Sequence, residues 1–276
     1  DIFRDVADVQ RTFMHLSRIV PRNGWIVLNG DDANLRALGP MAWTRVIRVG
    51  AGDGNDVRIE AFSESPEGAS FTLSWRGAPW ARVRWELGGM FNARNAAMAA
   101  TAAGLALHPE QPSALDLSAL ARFRGVKRRQ ELRLAGGPVK VIEDFGHHPT
   151  ALAETLRSLR ARHPGTRVTA VFEARSNTSR TKSLQGDFQE ALALADEIYL
   201  GAVSRADRIP AAERFDPEAV SGALRARGRL ARFAATNAEL LELLKSGTLL
   251  GGAERRLVVL DRKSTRLNSS HANISY

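Results

Sequence analysis

The chain has 276 residues, 44% of them apolar, a formal net charge of +9 and no cysteine. The missing cysteine excludes a disulfide framework and a Cys-based zinc site, and no apolar run is long enough to span a membrane. The length suits one large domain or two ordinary ones. The many Arg residues are interspersed with acids, as in "ALRARGRLARFAATNAELLELL", and the few aromatics do not alternate with them. The charge is therefore read as a solvated basic surface that also suits anionic nucleotides, with no nucleic-acid partner and no membrane partner.

In chain order, residues 1–20 predict an amphipathic helix ending near Pro21, without a signal peptide's apolar centre. "GWIVLNGDD" predicts a strand running into a turn. "RVIRV", "DVRIEAFSE", "SFTLSWRG" and "PWARVRWEL" alternate at period two and are read as short antiparallel strands. In "GGMFNARNAAMAATAAGLAL" the period changes, and Ala93 to Leu107 predicts a helix packed through small side chains. "ALDLSALARF", after Pro112, predicts a second short helix. From Arg129 the rhythm becomes β then α. The strands are "QELRLA", "VKVIEDF", "RVTAVFEA", "ADEIYLGA", "ARFA" and "RRLVVL", with helices starting near Pro149, Ser183, Asp216 and Asn237. That alternation predicts a doubly wound, mostly parallel α/β sheet, with a boundary near Gly125–Arg128. The final "DRKSTRLNSSHANISY" has no periodicity and resembles a translated sequencing-adapter read-through. Residues 261–276 are set apart from the fold as a non-native-looking tail.

Four stretches have the residue types for chemistry. In "GGMFNARNAA" two glycines free the backbone ahead of a helix, and the Asn92 and Asn95 amides share its first turn. They suit either reading a flat heterocycle by donor and acceptor pairs or capping the helix. "GVKRRQE" places Arg128 and Arg129 at the start of the α/β half, as a surface cluster or as bidentate phosphate contacts. "VKVIEDFGHHPTALAETLRSL" ends a strand in Glu143, Asp144, Gly146, His147, His148 and Pro149 just where a helix begins. Ala151, Leu152, Thr155, Leu156 and Leu159 form that helix's apolar stripe. Strand ends facing a helix N-terminus collect ligands in α/β sheets. Asp144 is a candidate for a ribose hydroxyl or an Arg, and His147 and His148 for phosphate, proton transfer or packing. "VFEARSNTSRTKSLQ" crowds donors after a strand, among them Arg175, Asn177 and Arg180, as a carboxylate or phosphate cradle.

Taken in order, "GxFNxRNAxAA", "GVKRRxE", "EDFGHHPTA" and "VFExRSNTSRTK" resemble the Mur ligase family over nearly all of residues 1–260. The resemblance implies a partial central ATPase domain of P-loop type over 1–128, including the short antiparallel strands. It implies a C-terminal Rossmann-like doubly wound domain over 129–260. It implies ATP and Mg²⁺ as cofactors, with Asn92 and Asn95 against the adenine and Arg129 at the phosphates. Asp144 would lie at the ribose, and His147 and His148 in the same cleft. Arg129, Asp144, His147 and His148 are the expected catalytic set, and Arg175, Asn177 and Arg180 the expected substrate contacts. The implied reaction is bacterial, cytoplasmic cell-wall peptide recycling, in which the tripeptide L-Ala-γ-D-Glu-meso-diaminopimelate is joined to UDP-N-acetylmuramic acid through an acyl phosphate. L-Alanine on the same sugar nucleotide is the alternative acceptor, and a basic nucleotide- or RNA-binding module the non-enzymatic one. The chain lacks G-x-x-x-x-G-K-[ST], Ala174 stands where a Pro is expected, and the family's metal-binding Glu and His fall ahead of Asp1. A fragment of a ligase, inactive alone, is the resulting expectation.

Overall fold

A computed structural model describes residues 3–146, 148–249 and 254–261, so His147 and residues 262–276 lie outside the described residues. The chain divides into two compact units, one up to Arg124 and one from Gly125 on.

The first unit opens with α1 (Val6–Ser17), whose N-terminus is capped by the Asp5 carboxylate accepting from the Asp8 N–H at 2.8 Å. There follow β1 (Trp25–Asn29), α2 (Ala33–Arg36), β2 (Arg45–Gly50), β3 (Val57–Ser65), β4 (Gly68–Trp75), β5 (Ala78–Trp85) and α3 (Met90–Leu107). The strands form one sheet in the order β1-β2-β3-β4-β5. β3, β4 and β5 are antiparallel neighbours, as expected, but β2 runs parallel to both β1 and β3. Period-two alternation reports which face is buried and says nothing about direction. The connection from β1 through α2 to β2 sets that direction. Ile47, Val49, Val57, Ile59, Phe71 and Leu73 bury their side chains with Ala93, Ala96, Ala97 and Ala100 of α3. The second short helix is replaced by two 3-10 turns, Pro112–Ala114 and Ser118–Arg122. Between them Asp116 accepts from both the N–H and the hydroxyl of Ser118, which diverts the backbone from a continuous α-helix. All five tryptophans of the chain belong to this unit.

The second unit contains β6 (Glu131–Gly136), β7 (Val139–Asp144), α4 (Pro149–Arg162), β8 (Arg167–Phe172), α5 (Gln185–Leu192), β9 (Glu197–Leu200), α6 (Pro217–Ala226), β10 (Leu230–Phe233), α7 (Asn237–Leu249) and β11 (Arg256–Asp261). Its sheet has the order β10-β9-β8-β11-β7-β6, with only β6 antiparallel. Leu152, Leu156 and Leu159 of α4, Phe188 and Leu192 of α5, and Val220 and Leu224 of α6 join one core with Leu257 and Val259. Leu240 of α7 packs with Val171, Tyr199 and Val258, the residues that alternate to the other face. The sheet is thus covered on both sides, as a near-continuous apolar strand such as "LVVL" requires. At the amino ends of these strands Arg256 is bonded to Glu197, which also receives Arg167 Nη1 at 3.1 Å and the Thr169 hydroxyl at 3.4 Å. The tail boundary moves by one residue. Asp261 is part of β11, in register with Asp144 on one side and Phe172 on the other, because the ladder continues through it.

Candidate functional site

In the second unit the carboxyl edge of the sheet gathers the residues the sequence singled out. Gln130, just ahead of β6, donates its N–H to Asp144 Oδ2 at 3.0 Å. Arg129 is anchored by its Nη1 donating to the Phe145 carbonyl at 2.8 Å. The same Nη1 lies 4.0 Å from Asp144 Oδ1, and the guanidinium carbon sits 5.5 Å from the Phe145 ring centroid. The residues on either side of Arg129, Arg128 and Gln130, have φ of 62° and 49°. Non-glycine residues enter this left-handed region at a cost of about 1–2 kcal/mol each, and such strain collects where a fold must hold one side chain in place. Half of the Arg129 side chain remains exposed, so its charge is available beyond the pair.

Asp144 itself is buried. Burial is the largest influence on its carboxyl and raises its pKa to about 6. The Gln130 N–H, the Arg129 charge, the Phe145 N–H and the Thr155 hydroxyl oppose that rise. Thr155 was read as one member of an apolar stripe, yet it turns its hydroxyl to the carboxylate. A β-branched residue at a core position gives no sign in sequence of where its Oγ points. His148 is exposed and serves as the N-cap of α4, its Nδ1 accepting from the Thr150 N–H at 3.3 Å. The role expected for His147 falls outside the described residues.

After β8, Arg175 is paired with Glu173 at 2.9 Å. Ser176 and Ser179 bond to one another and close a turn. Arg180 donates to Asn177 Oδ1 at 2.7 Å, to the Ser204 carbonyl at 3.3 Å and to the Ser176 carbonyl at 3.4 Å. Arg180 therefore staples the loop, while Arg175 is held by Glu173 and Asn177 by Arg180.

In the first unit α3 starts at Gly89, whose φ of 90° and closeness to the Phe91 ring leave no room for a Cβ. Neither asparagine is the N-cap. Asn92 donates back to the Gly88 carbonyl at 2.7 Å, while Asn95 is exposed and makes no side-chain hydrogen bond among the described residues. Glu64 of β3 accepts from the Gly89 N–H at 2.8 Å and holds that turn in place. This contact spans 25 residues and left no local signal in the sequence.

Comparison with known proteins bears on both units. Residues 1–103 match the Mur ligase middle domain and residues 128–260 the Mur ligase glutamate ligase domain. The chain belongs to the Mur ligase family. Among curated proteins it is 36% identical over 202 residues to the UDP-N-acetylmuramate–L-alanyl-γ-D-glutamyl-meso-2,6-diaminoheptanedioate ligase of Escherichia coli K12, covering 72% of this chain and 43% of that protein. It is 31% identical over 255 residues to the UDP-N-acetylmuramate–L-alanine ligase of Desulfosudis oleivorans, covering 91% of this chain and 55% of that protein. The chain thus spans about half the length of the relatives it matches. A solved murein peptide ligase from Psychrobacter arcticus is 26% identical, with a TM-score of 0.63 over 94% of this chain and 52% of that one. A UDP-N-acetylmuramate–alanine ligase from Thermotoga maritima, 20% identical at a TM-score of 0.66 over 93% of this chain and 51% of that one, shares the fold. No helix among the described residues is long and apolar enough to cross a membrane.

Proposed function

We propose that this Mur ligase chain is part of an ATP-dependent ligase that joins L-Ala-γ-D-Glu-meso-diaminopimelate to UDP-N-acetylmuramic acid in bacterial cytoplasm. The observation that carries the reading is the Arg129–Asp144 arrangement, an anchored guanidinium whose chain neighbours have positive φ, beside a buried carboxylate at the carboxyl edge of a doubly wound sheet. A cation fixed before reaction stabilises charge that builds on phosphoryl oxygens without reorganising. The exposed Asn95 amide and the tethered Asn92 amide suit the adenine end of ATP, and Asp144 suits a ribose hydroxyl. Bound ATP would supply the phosphoryl group that activates a carboxylate for attack by an amine. Among the described residues no group of three or more His, Asp or Glu could hold a metal ion, so no residue here is assigned to Mg²⁺. Arg175 and Asn177 offer donors to a carboxylate-bearing acceptor.

L-Alanine is the second reading, because relatives of both kinds match at similar identity. The test is a phosphate-release assay on a ligase that carries this chain together with a P-loop segment. Release is expected only with sugar nucleotide and tripeptide together, and a preference for free L-alanine refutes the acceptor assignment. Arg129→Ala in that ligase is expected to lower kcat by roughly 3–4 kcal/mol of transition-state stabilisation. An unchanged rate would make Arg129 a structural residue.

A further inference from the structure

The amino ends of the second sheet border a cavity of about 280 Å³, at the strand ends opposite to Asp144. Arg167 and Arg256 reach it as register partners on β8 and β11. Glu197 and Tyr199 alternate onto one face of β9, with Leu230 and Arg232 beside them on β10. Gly247 of α7 lies over that face, and a Cβ there would sit 1.9 Å from the Tyr199 hydroxyl oxygen. The hydroxyl thus occupies the space that a side chain at 247 would need.

Glu197 accepts from both Arg256 and Arg167, and Glu254 pairs with Arg167 at 3.0 Å. Three groups keep donors to spare. Tyr199 is 3% exposed, and its hydroxyl has no hydrogen-bond partner among the described residues. Burial, then the Glu197 charge, raise the Tyr199 phenol above its ordinary pKa, so at neutral pH it keeps its proton and can donate. Arg256 is buried, and its Nη2, 4.0 Å from Glu254, completes no hydrogen bond among the described residues. Arg232 has no ion-pair partner among them. Three guanidiniums therefore line the cavity against two carboxylates, with one positive charge in excess.

We propose that this cavity binds a small organic carboxylate, held by Arg256 Nη2, the Tyr199 hydroxyl and Arg232, with its apolar part against Leu230. A buried polar group without a partner costs about 1–3 kcal/mol, so Tyr199 and Arg256 together favour a ligand that satisfies both. Both are donors here, so the atoms they share must be acceptors, and a guanidinium meets a carboxylate with matched geometry. Water would satisfy the donors and leave the excess charge uncompensated. A phosphate dianion would bring a second negative charge beside Glu197 and Glu254, which repel it. The volume lies just under the range of drug-sized sites, which limits the ligand to a small molecule. The inference does not rest on the reaction proposed for the carboxyl edge.

The test titrates the ¹⁵N-labelled 276-residue chain with butyrate, butyramide, inorganic phosphate and chloride at equal ionic strength, following amide shifts in β9 and β10. Butyrate is expected to shift the amides around Tyr199 and Arg232 saturably, and butyramide and chloride are expected not to. Tyr199→Phe and Arg232→Gln are each expected to weaken butyrate binding about tenfold, the worth of one charge-assisted hydrogen bond. Both variants should keep the parent's melting temperature, because neither group has a partner to lose. The absence of a saturable butyrate shift, an equal response to chloride, or an affinity unaltered by both substitutions overturns the proposal. Tighter binding of phosphate than of butyrate overturns the carboxylate assignment. If Tyr199→Phe folds poorly, Arg232→Gln, at an exposed position, decides.

Discussion

Replacing Arg256 by Met tests what holds the amino ends of the second sheet. The Arg256 side chain is 4% exposed and its partner Glu197 9% exposed. Removing one member of a buried ion pair typically costs about 3–5 kcal/mol, because the other charge is left desolvated. Here Glu197 keeps Arg167 and Thr169, so the low end, about 3 kcal/mol, is expected. For a unit of this size that is a loss of roughly 10 °C in melting temperature. Replacing both partners, Arg256→Met with Glu197→Leu, removes the stranded charge and is expected to recover most of the loss. Urea unfolding followed by far-UV circular dichroism measures the effect. Tryptophan emission, which reports only the first unit, should not move. A loss under about 1 kcal/mol, or a double variant no better than the single one, would show that Glu197 is not desolvated as described.

Gly104→Ala sets helix propensity against packing. Ala is favoured in a helix interior by about 1 kcal/mol, but its Cβ would lie 2.6 Å from the Pro112 carbonyl oxygen, so a net loss is expected in the tryptophan-detected melt. Phe188→Ala removes a fully buried ring 4.8 Å from Phe172 and is expected to cost about 3–5 kcal/mol in the second unit by urea titration. Asn95→Ala should leave the melting temperature unchanged, since the side chain is exposed, yet raise KM for ATP in a ligase carrying this chain. An unaltered KM removes Asn95 from the nucleotide site.

How much of this was legible in sequence depended on the range of the interaction. "VKVIEDFGHHPT" gave a strand, a carboxylate at its end and a helix start at Pro149, and β7 and α4 follow that reading because each is decided by local pattern. Strand direction at β2 was not legible, since alternation is the same for parallel and antiparallel neighbours. The hold of Glu64 on Gly89 and the turn of Thr155 toward Asp144 are tertiary contacts between residues that look ordinary in their own segments. Arg180 was legible as a donor but not as one already occupied, because its acceptors include the backbone carbonyl of Ser204. Asp261 was set apart with an aperiodic tail, yet a strand begun by "RRLVVL" extends through it as long as its neighbours offer a ladder.

The position of β11 constrains how the second unit can be made in a cell. Among the described strands this one comes last in sequence, yet it is the one that separates β7 from β8. Until it has left the ribosome, the two earlier strands have no partner between them, and α4 has only part of its floor. A nascent chain halted before Arg256 would present two apolar strand edges facing an empty slot, the arrangement that recruits chaperones or pairs with a neighbouring chain. The docking of β7 against β8 is therefore expected to wait for synthesis of β11.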